Sequence, residues 1–365
     1  MKWRTLKFFI PIVVLPAILV VSLNANGWWT FFAVAFGFVF IPAVELFLPG
    51  NEDNLSLEEE KEERNNKLYD YLIYFTVIVQ FVGLFYFLYR VGYTDYTTLE
   101  LIGMTWSMSI GCGVIGINVA HELGHRSKKY EQNMSKALLL TSLYMHFFIE
   151  HNRGHHKNIA TRFDPATSRK NEVIYSFFIR SVVGGWLSAW KLEAHRLKKS
   201  NQVVISIHNE MLVFQMIQVL FCTMIAIVFG WKAMLAFIGA AVLGFLLLET
   251  VNYIEHYGLL RKEISEGRFE KVKPHHSWNT NRTLGRLFLF ELTRHSDHHY
   301  NASRKYQILR HFDNAPQMPN GYPAMMICAL FPPLWFYIMN PIVDQHNNNI
   351  NEDYSTTLGR NFASA

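Results

Sequence analysis

Three histidines fall within six residues in the run Glu150-His151-Asn152-Arg153-Gly154-His155-His156. Coiled as a helix, this run puts His151 and His155 on one face, with His156 about 100° further round. It can therefore give two ligands to one metal and a third to a neighbouring metal. Imidazole suits iron, copper, zinc and nickel, so the spacing specifies a metal without choosing it. The pattern recurs. His121-Glu122-Leu123-Gly124-His125 offers an i,i+4 pair, and His295-Ser296-Asp297-His298-His299 offers three more histidines on one helical face. His256 stands in Asn252-Tyr253-Ile254-Glu255-His256-Tyr257-Gly258. The candidate ligands are thus His121, His125, His151, His155, His156, His256, His295, His298 and His299. One metal takes about four to six such ligands, so this many imidazoles imply two metals with positions left open.

Acidic residues inside the motifs, Glu122, Glu150, Glu255 and Asp297, are natural acceptors for the ligands' second N–H groups. Each suits a solvated helix face equally well. His276, in His275-His276-Ser277-Trp278, is assigned to support of the ligands or to contact with an electron donor. His146, His195, His208, His311 and His346 stand alone and read as packed or solvated.

The elements that must position these groups are apolar and long. Half of the 365 residues are hydrophobic and 15% are aromatic, yet the mean hydropathy is only +0.09, so apolar runs must alternate with very polar ones. Runs over residues 8–23, 30–48, 69–89, 98–120, 211–229 and 233–251 are each read as a membrane span, which needs about 20 residues. The first follows a basic start but has no clear cleavage site, so it reads as a retained span. Trp28 and Trp29 sit where an interfacial belt would place them. Residues 137–149 are apolar but too short to cross, and are expected to form one half-buried helix carrying the histidine-rich run. Residues 322–338, broken by Pro323, Pro332 and Pro333, are expected to pack at the membrane surface. The fold class is an all-α integral membrane protein with six transmembrane helices and a cytoplasmic histidine-rich site. It forms one domain over residues 1–340, followed by a loose polar tail over 341–365.

Six spans put both termini on one side, and charge decides which. With a cytoplasmic N-terminus, only Arg90 and Lys232 of the 34 Lys and Arg fall at the outer loops. This obeys the positive-inside rule and expects a cytoplasmic-membrane location with the histidines on the cytoplasmic side. The net charge of +5 reads as a membrane signature, and no aromatic-interleaved basic patch points to nucleic acid. Cys112, Cys222 and Cys328 are scattered and form no C-x-x-C pair, which argues against a disulfide framework or a cysteine-bound iron site.

The strings His121-Glu-Leu-Gly-His-Arg, Glu150-His-Asn-Arg-Gly-His-His, Asn252-Tyr-Ile-Glu-His-Tyr-Gly-Leu and Arg294-His-Ser-Asp-His-His resemble those of the bacterial alkane 1-monooxygenases. These belong to the membrane di-iron family of fatty-acid desaturases and hydroxylases. The string around His256 is the most discriminating, because desaturases typically lack it in that form. The resemblance implies two non-haem irons held by the nine histidines and dioxygen as co-substrate. It further implies an alkane bound from the lipid bilayer and hydroxylated at its terminal carbon. Rubredoxin, itself reduced by rubredoxin reductase, would supply electrons. Because an alkane has no polar handle, shape must orient it, and small positions such as Gly111, Gly113 and Gly116 on the fourth span are offered as channel wall. Basic residues next to the ligands, Arg126, Lys128, Lys129, Arg261, Lys262, Lys271 and Lys273, are offered as docking points for an acidic donor. They equally satisfy the positive-inside rule.

Alternatives remain open at this level. A membrane desaturase, or a hydroxylase of aromatic methyl groups, would use the same histidines. His121-Glu122-x-x-His125 also reads as a zinc-protease signature with Glu122 as general base, which would leave most of the histidines without a role. A metal transporter would place its ligands near the bilayer midplane instead.

Overall fold

The computed structural model describes residues 3–363, with side chains for residues 4–350. The architecture is helical; among the described residues the sole sheet is a short antiparallel hairpin of β1 (Glu263–Ser265) and β2 (Arg268–Phe269). Five helices are long and apolar enough to cross a membrane: α1 (Arg4–Asn24), α2 (Gly27–Glu45), α4 (Leu68–Tyr93), α5 (Thr98–Gly124) and α9 (Glu210–His256). Between α2 and α4 lies α3 (Leu57–Asn65), a polar helix started by a Ser56–Glu59 capping box.

The 47 residues of α9 would run about 70 Å if straight, more than twice a hydrocarbon core of about 30 Å. The chain breaks at Gly230, whose φ of 86° and ψ of 162° lie outside the helical region and favour glycine. Two crossings result; five of the six expected spans fall within these helices, and the one expected over residues 30–48 overruns the end of α2 at Glu45 by three residues. Three turns meet at one end of the bundle. Gly27 N–H donates to Glu100 in the first turn of α5 (2.9 Å), and Tyr93 Oη donates to the Val228 carbonyl (2.7 Å). Asp95 approaches Lys232 at 3.7 Å. The helix ends that carry His121 and His256 lie at the opposite end.

There the chain builds its second layer. α6 (Lys129–Leu140) is followed by a turn, so residues 137–149 are not the single helix expected. The cause is local. Leu143 takes a positive φ of 49°, and Ser142 Oγ turns inward to the Cys112 carbonyl (3.2 Å). A helical segment, α7 (residues 147–158), then carries the densest histidine run. It packs on α8 (Ile174–Lys199), where Arg153 pairs with the fully buried Glu193 (2.9 Å). α10 (Thr283–Phe288) and α11 (His295–Tyr300) complete this layer. α12 (Tyr322–Ala329) and α13 (Pro332–Ala363) meet at a bend of 120°. Trp335 and Met339 of α13 are buried in a cluster with Tyr253 and Tyr257. Where a loose tail is expected from residue 341, α13 continues. His346 bonds to the His275 carbonyl (3.0 Å) and Asn347 to that of Gly258 (3.1 Å). The side chains after Ile350 and residues 364–365 lie outside the described residues.

Candidate metal centre

All nine histidines converge, and they divide into two groups. His121, His125, His151, His156 and His298 form one, and His155, His256, His295 and His299 form the other. Within the first, Nε2 atoms of His125 and His151 lie 3.1 Å apart, those of His151 and His156 3.0 Å, and those of His156 and His298 3.1 Å. In the second, the His155–His299 separation is 3.3 Å, His295–His299 2.8 Å and His256–His295 3.3 Å. Metal–imidazole bonds of about 2.0–2.1 Å meeting at right angles put neighbouring nitrogens about 3 Å apart. The nitrogens therefore already stand along the edges of two coordination shells. His121 Nε2, buried without a hydrogen-bond partner among the described residues, fits the same description. The donor set suits two imidazole-loving metals such as iron.

The partition separates His151 from His155, which regular helical spacing would put on one face. The backbone explains why. Residues His151–His155 form a π-turn, whose i→i+5 bonding widens the helix and brings His156, not His155, beside His151. In α11 the i,i+4 pair His295 and His299 stays together, while His298 crosses to the five-histidine group.

Burial sets the protonation of these groups. His151, His156, His295, His298 and His299 are held well below the ordinary imidazole value, first by desolvation and then by one another's proximity. His125 falls to about 3 for the same reasons. Neutral rings keep the lone pair that a metal needs. His155 is the exception. Burial pulls it down, but the Asp164 carboxylate 2.9 Å from Nδ1 outweighs burial and raises it.

Asp164 is the residue that sequence reasoning missed. It also accepts from Thr167 Oγ1 (2.6 Å) and Ala166 N–H (3.1 Å), so it is fixed before it meets His155. Its one signal in sequence was an Asp-Pro turn eight residues after the histidine run ends. The acidic residues proposed for this role lie elsewhere. Glu122 pairs with Arg126 at 2.6 Å, which also removes it as the general base of a zinc protease. Asp297 accepts from Arg310 N–H (2.7 Å) and pairs with Arg304 (3.0 Å). Glu255 is 3.1 Å from His295 Nε2, on the ligating side of the ring, and accepts from Tyr322 Oη (2.6 Å). Glu150 borders His151 and His155 without bonding either, its oxygen taking Ser188 Oγ at 3.4 Å. His276 forms a separate group with Glu270 and His275. Its Nδ1 accepts the Lys273 N–H (3.0 Å), so its Nε2 carries the proton and faces Glu270 at 3.5 Å.

The basic residues also divide. Arg126 is buried between Asp70 (3.1 Å) and Glu122. Arg261 is spent on the carbonyls of Lys157 and Glu270 (both 2.9 Å), and Lys273 pairs with Glu270 at 2.8 Å. Lys128, Lys129, Lys262 and Lys271 are exposed.

Beside the metal centre lies an apolar cavity of about 120 Å³. Leu15, Ile18, Phe36, Val114 and Leu247 wall it, and His121, His151, His295 and Glu255 close it at the histidine end. Gly111 and Gly113 line it as expected, whereas a side chain at Gly116 would meet Thr141 (3.1 Å) instead.

Residues 98–328, which hold all nine histidines, match the sequence model of the fatty acid desaturase family. Alkane 1-monooxygenase 2 of Pseudomonas aeruginosa is 40% identical over 324 residues, covering 87% of this chain and 85% of that protein. Alkane 1-monooxygenase 2 of Alcanivorax borkumensis is 38% identical over 351 residues, covering 94% and 91%. The xylene/toluene monooxygenase hydroxylase component of Pseudomonas putida is more distant, at 28% over 251 residues, or 66% and 64%. With the metal centre inside the family match and most of the chain covered by relatives of this identity, the chain belongs to the fatty acid desaturase family and, within it, to the alkane 1-monooxygenases, which are oxidoreductases.

Proposed function

We propose that this chain hydroxylates the terminal carbon of alkanes, using two irons, dioxygen and electrons from rubredoxin. The observation that carries the reading is the apolar cavity that ends on His121, His151 and His295. When bound, iron would activate dioxygen and so supply the oxidising power that attack on an unactivated C–H bond requires. His121, His125, His151, His156 and His298 would hold one iron, and His155, His256, His295 and His299 the other. The chain's own contribution is position. Apolar walls from α1, α2, α5 and α9 exclude water and admit a hydrocarbon from the bilayer lengthwise, so its end is what reaches the histidines. Holding a reactant in this way supplies both rate and regiochemistry.

The distribution of Lys and Arg supports a cytoplasmic face for the histidine end, where a soluble donor reaches it. The exposed Lys128, Lys129, Lys262 and Lys271 suit an acidic protein there. Reconstituted protein supplied with iron, rubredoxin, its reductase and an alkane tests the reading. Two irons per chain and a primary alcohol are expected. One zinc per chain, an alkene product, or preferential oxidation of xylene in the same assay would overturn it.

A further inference from the structure

Hydroxylating one C–H bond with one dioxygen consumes two electrons and two protons, giving one alcohol and one water. The donor protein brings the electrons. The protons need a path of their own, and the apolar cavity walls cannot provide one.

On the other side of His151 and His155 lies a second, polar cavity of about 20 Å³, enough for one water molecule of about 10–15 Å³ on this measure. Glu249 of α9 lines it together with Tyr144, His146 and Ser181. Glu249 is 3% exposed. Its carboxyl accepts from Tyr144 Oη (2.8 Å), from Ser181 Oγ and from Asn252 Nδ2 (3.4 Å). Tyr144 and His146 also line a third cavity of about 260 Å³, where Gln215 and Gln218 stand among apolar Leu143, Val182, Val183, Trp186 and Phe245. Val183 is 52% exposed and Trp186 38%, so this cleft opens at the protein surface. Tyr144 and His146 are thus the partition between an open cleft and a polar chamber bordered by ligands of both metal groups.

We propose that Glu249, reached through His146 and Tyr144, delivers the protons consumed in dioxygen reduction. The proposal rests on the hydroxylase reading above. His146 and Tyr144 face the cleft, and the rings of the two lie 4.3 Å apart. Tyr144 Oη bonds Glu249, and a carboxyl group can take a proton on one oxygen and give it up again. A water in the chamber carries the proton on toward His151 and His155. The other ionisable groups lining the chamber are Glu150, His151 and His155, from the histidine run, and Asp164 stands behind His155. Among the described residues no Lys or Arg is paired with Glu249, so the group is not locked in an ion pair.

Glu249→Gln keeps the shape and the acceptor oxygen but cannot relay a proton, and Glu249→Asp can. Three readouts separate relay from scaffold. Both variants should bind two irons and melt as the wild type does. Turnover of Glu249→Gln should fall by about 10²-fold or more, with the residual rate dropping as pH rises, and Glu249→Asp should recover at least a tenth of wild-type turnover. In metal-free protein, infrared spectra should show a protonated-carboxyl band that shifts in D₂O and is missing from Glu249→Gln. Wild-type turnover and pH profile in Glu249→Gln would overturn the proposal. So would a loss of iron that accounts for the loss of rate, or the absence of that band in the wild type. If the wild type makes no alcohol from any alkane, the hydroxylase reading fails instead, and the infrared result still reports on Glu249.

Discussion

Asp164 Oδ2 lies 2.9 Å from Nδ1 of His155, and both side chains are buried. This contact fixes which nitrogen of His155 carries a proton and leaves Nε2 for a metal, the usual arrangement of a carboxylate behind a ligating histidine. Asp164→Asn keeps the size but removes the charge. Affinity for the metal of the four-histidine group should fall about 10–100-fold, with the five-histidine group unaffected. Metal retained per chain during chelator competition measures this. Retention of two metals at wild-type chelator concentrations would show that His155 needs no anionic support.

The same partition predicts what single ligand losses do. His298→Ala should empty the five-histidine group and His256→Ala the four-histidine group, each leaving about one metal per chain and no turnover. His208→Ala should keep both metals and activity. Loss of both metals from either ligand variant would mean that the two groups bind as one unit.

Acid should destabilise the metal-free protein. His125, His151, His156, His295, His298 and His299 have values lowered by burial, so below about pH 6.5 the unfolded chain binds protons that the fold excludes. Stability from these groups is therefore lost as pH falls through the ordinary imidazole value. His155, whose value is raised, acts in the opposite sense and loses its contribution as pH rises through its folded value. Among these ligands six act against one, so their net contribution to the melting temperature falls on acidification. A flat profile in chelator-stripped protein would contradict the burial argument.

The residue types in the centre were legible because their spacing is local. An i,i+4 pair such as His121 and His125 needs only a helix to face one way, and the six spans announce themselves by length and hydropathy. The partition of His151, His155 and His156 was not legible, because a π-turn shifts register by one residue without any signature in composition. Asp164, Glu249 and Tyr144 come from three separate elements, and only packing brings them to the histidines. The docking residues show the same limit. Arg126 reads as a surface cation by charge, yet Asp70 and Glu122 bury it.

Val114 sits seven residues before His121 on α5, about 10 Å up the helix, and its side chain lines the apolar cavity. Val114→Phe should shorten the accessible length without touching a ligand. Turnover of longer alkanes should fall about tenfold or more, since one misfitted methylene is worth about 1–3 kcal/mol, while short alkanes and iron content stay near wild type. Equal losses at every chain length would place the substrate elsewhere.

The exposed lysines set the last expectation. Lys128 and Lys129 follow the first histidine pair directly, and Lys271 lies in the segment between His256 and His295. Neither Arg126 nor Lys273 serves as a clean probe, since each already holds a carboxylate. Reversing Lys128 and Lys129 to Glu, or Lys271 to Glu, changes charge on the surface without opening those ion pairs. If rubredoxin docks there, attraction governs its association rate more than the chemistry that follows. The KM for rubredoxin should rise several-fold at low salt, and its dependence on salt should weaken, because screening acts over about 10 Å at 0.1 M. Iron content and the position of hydroxylation should not move. A rubredoxin titration unchanged in all three positions at low salt would assign these lysines to membrane topology alone.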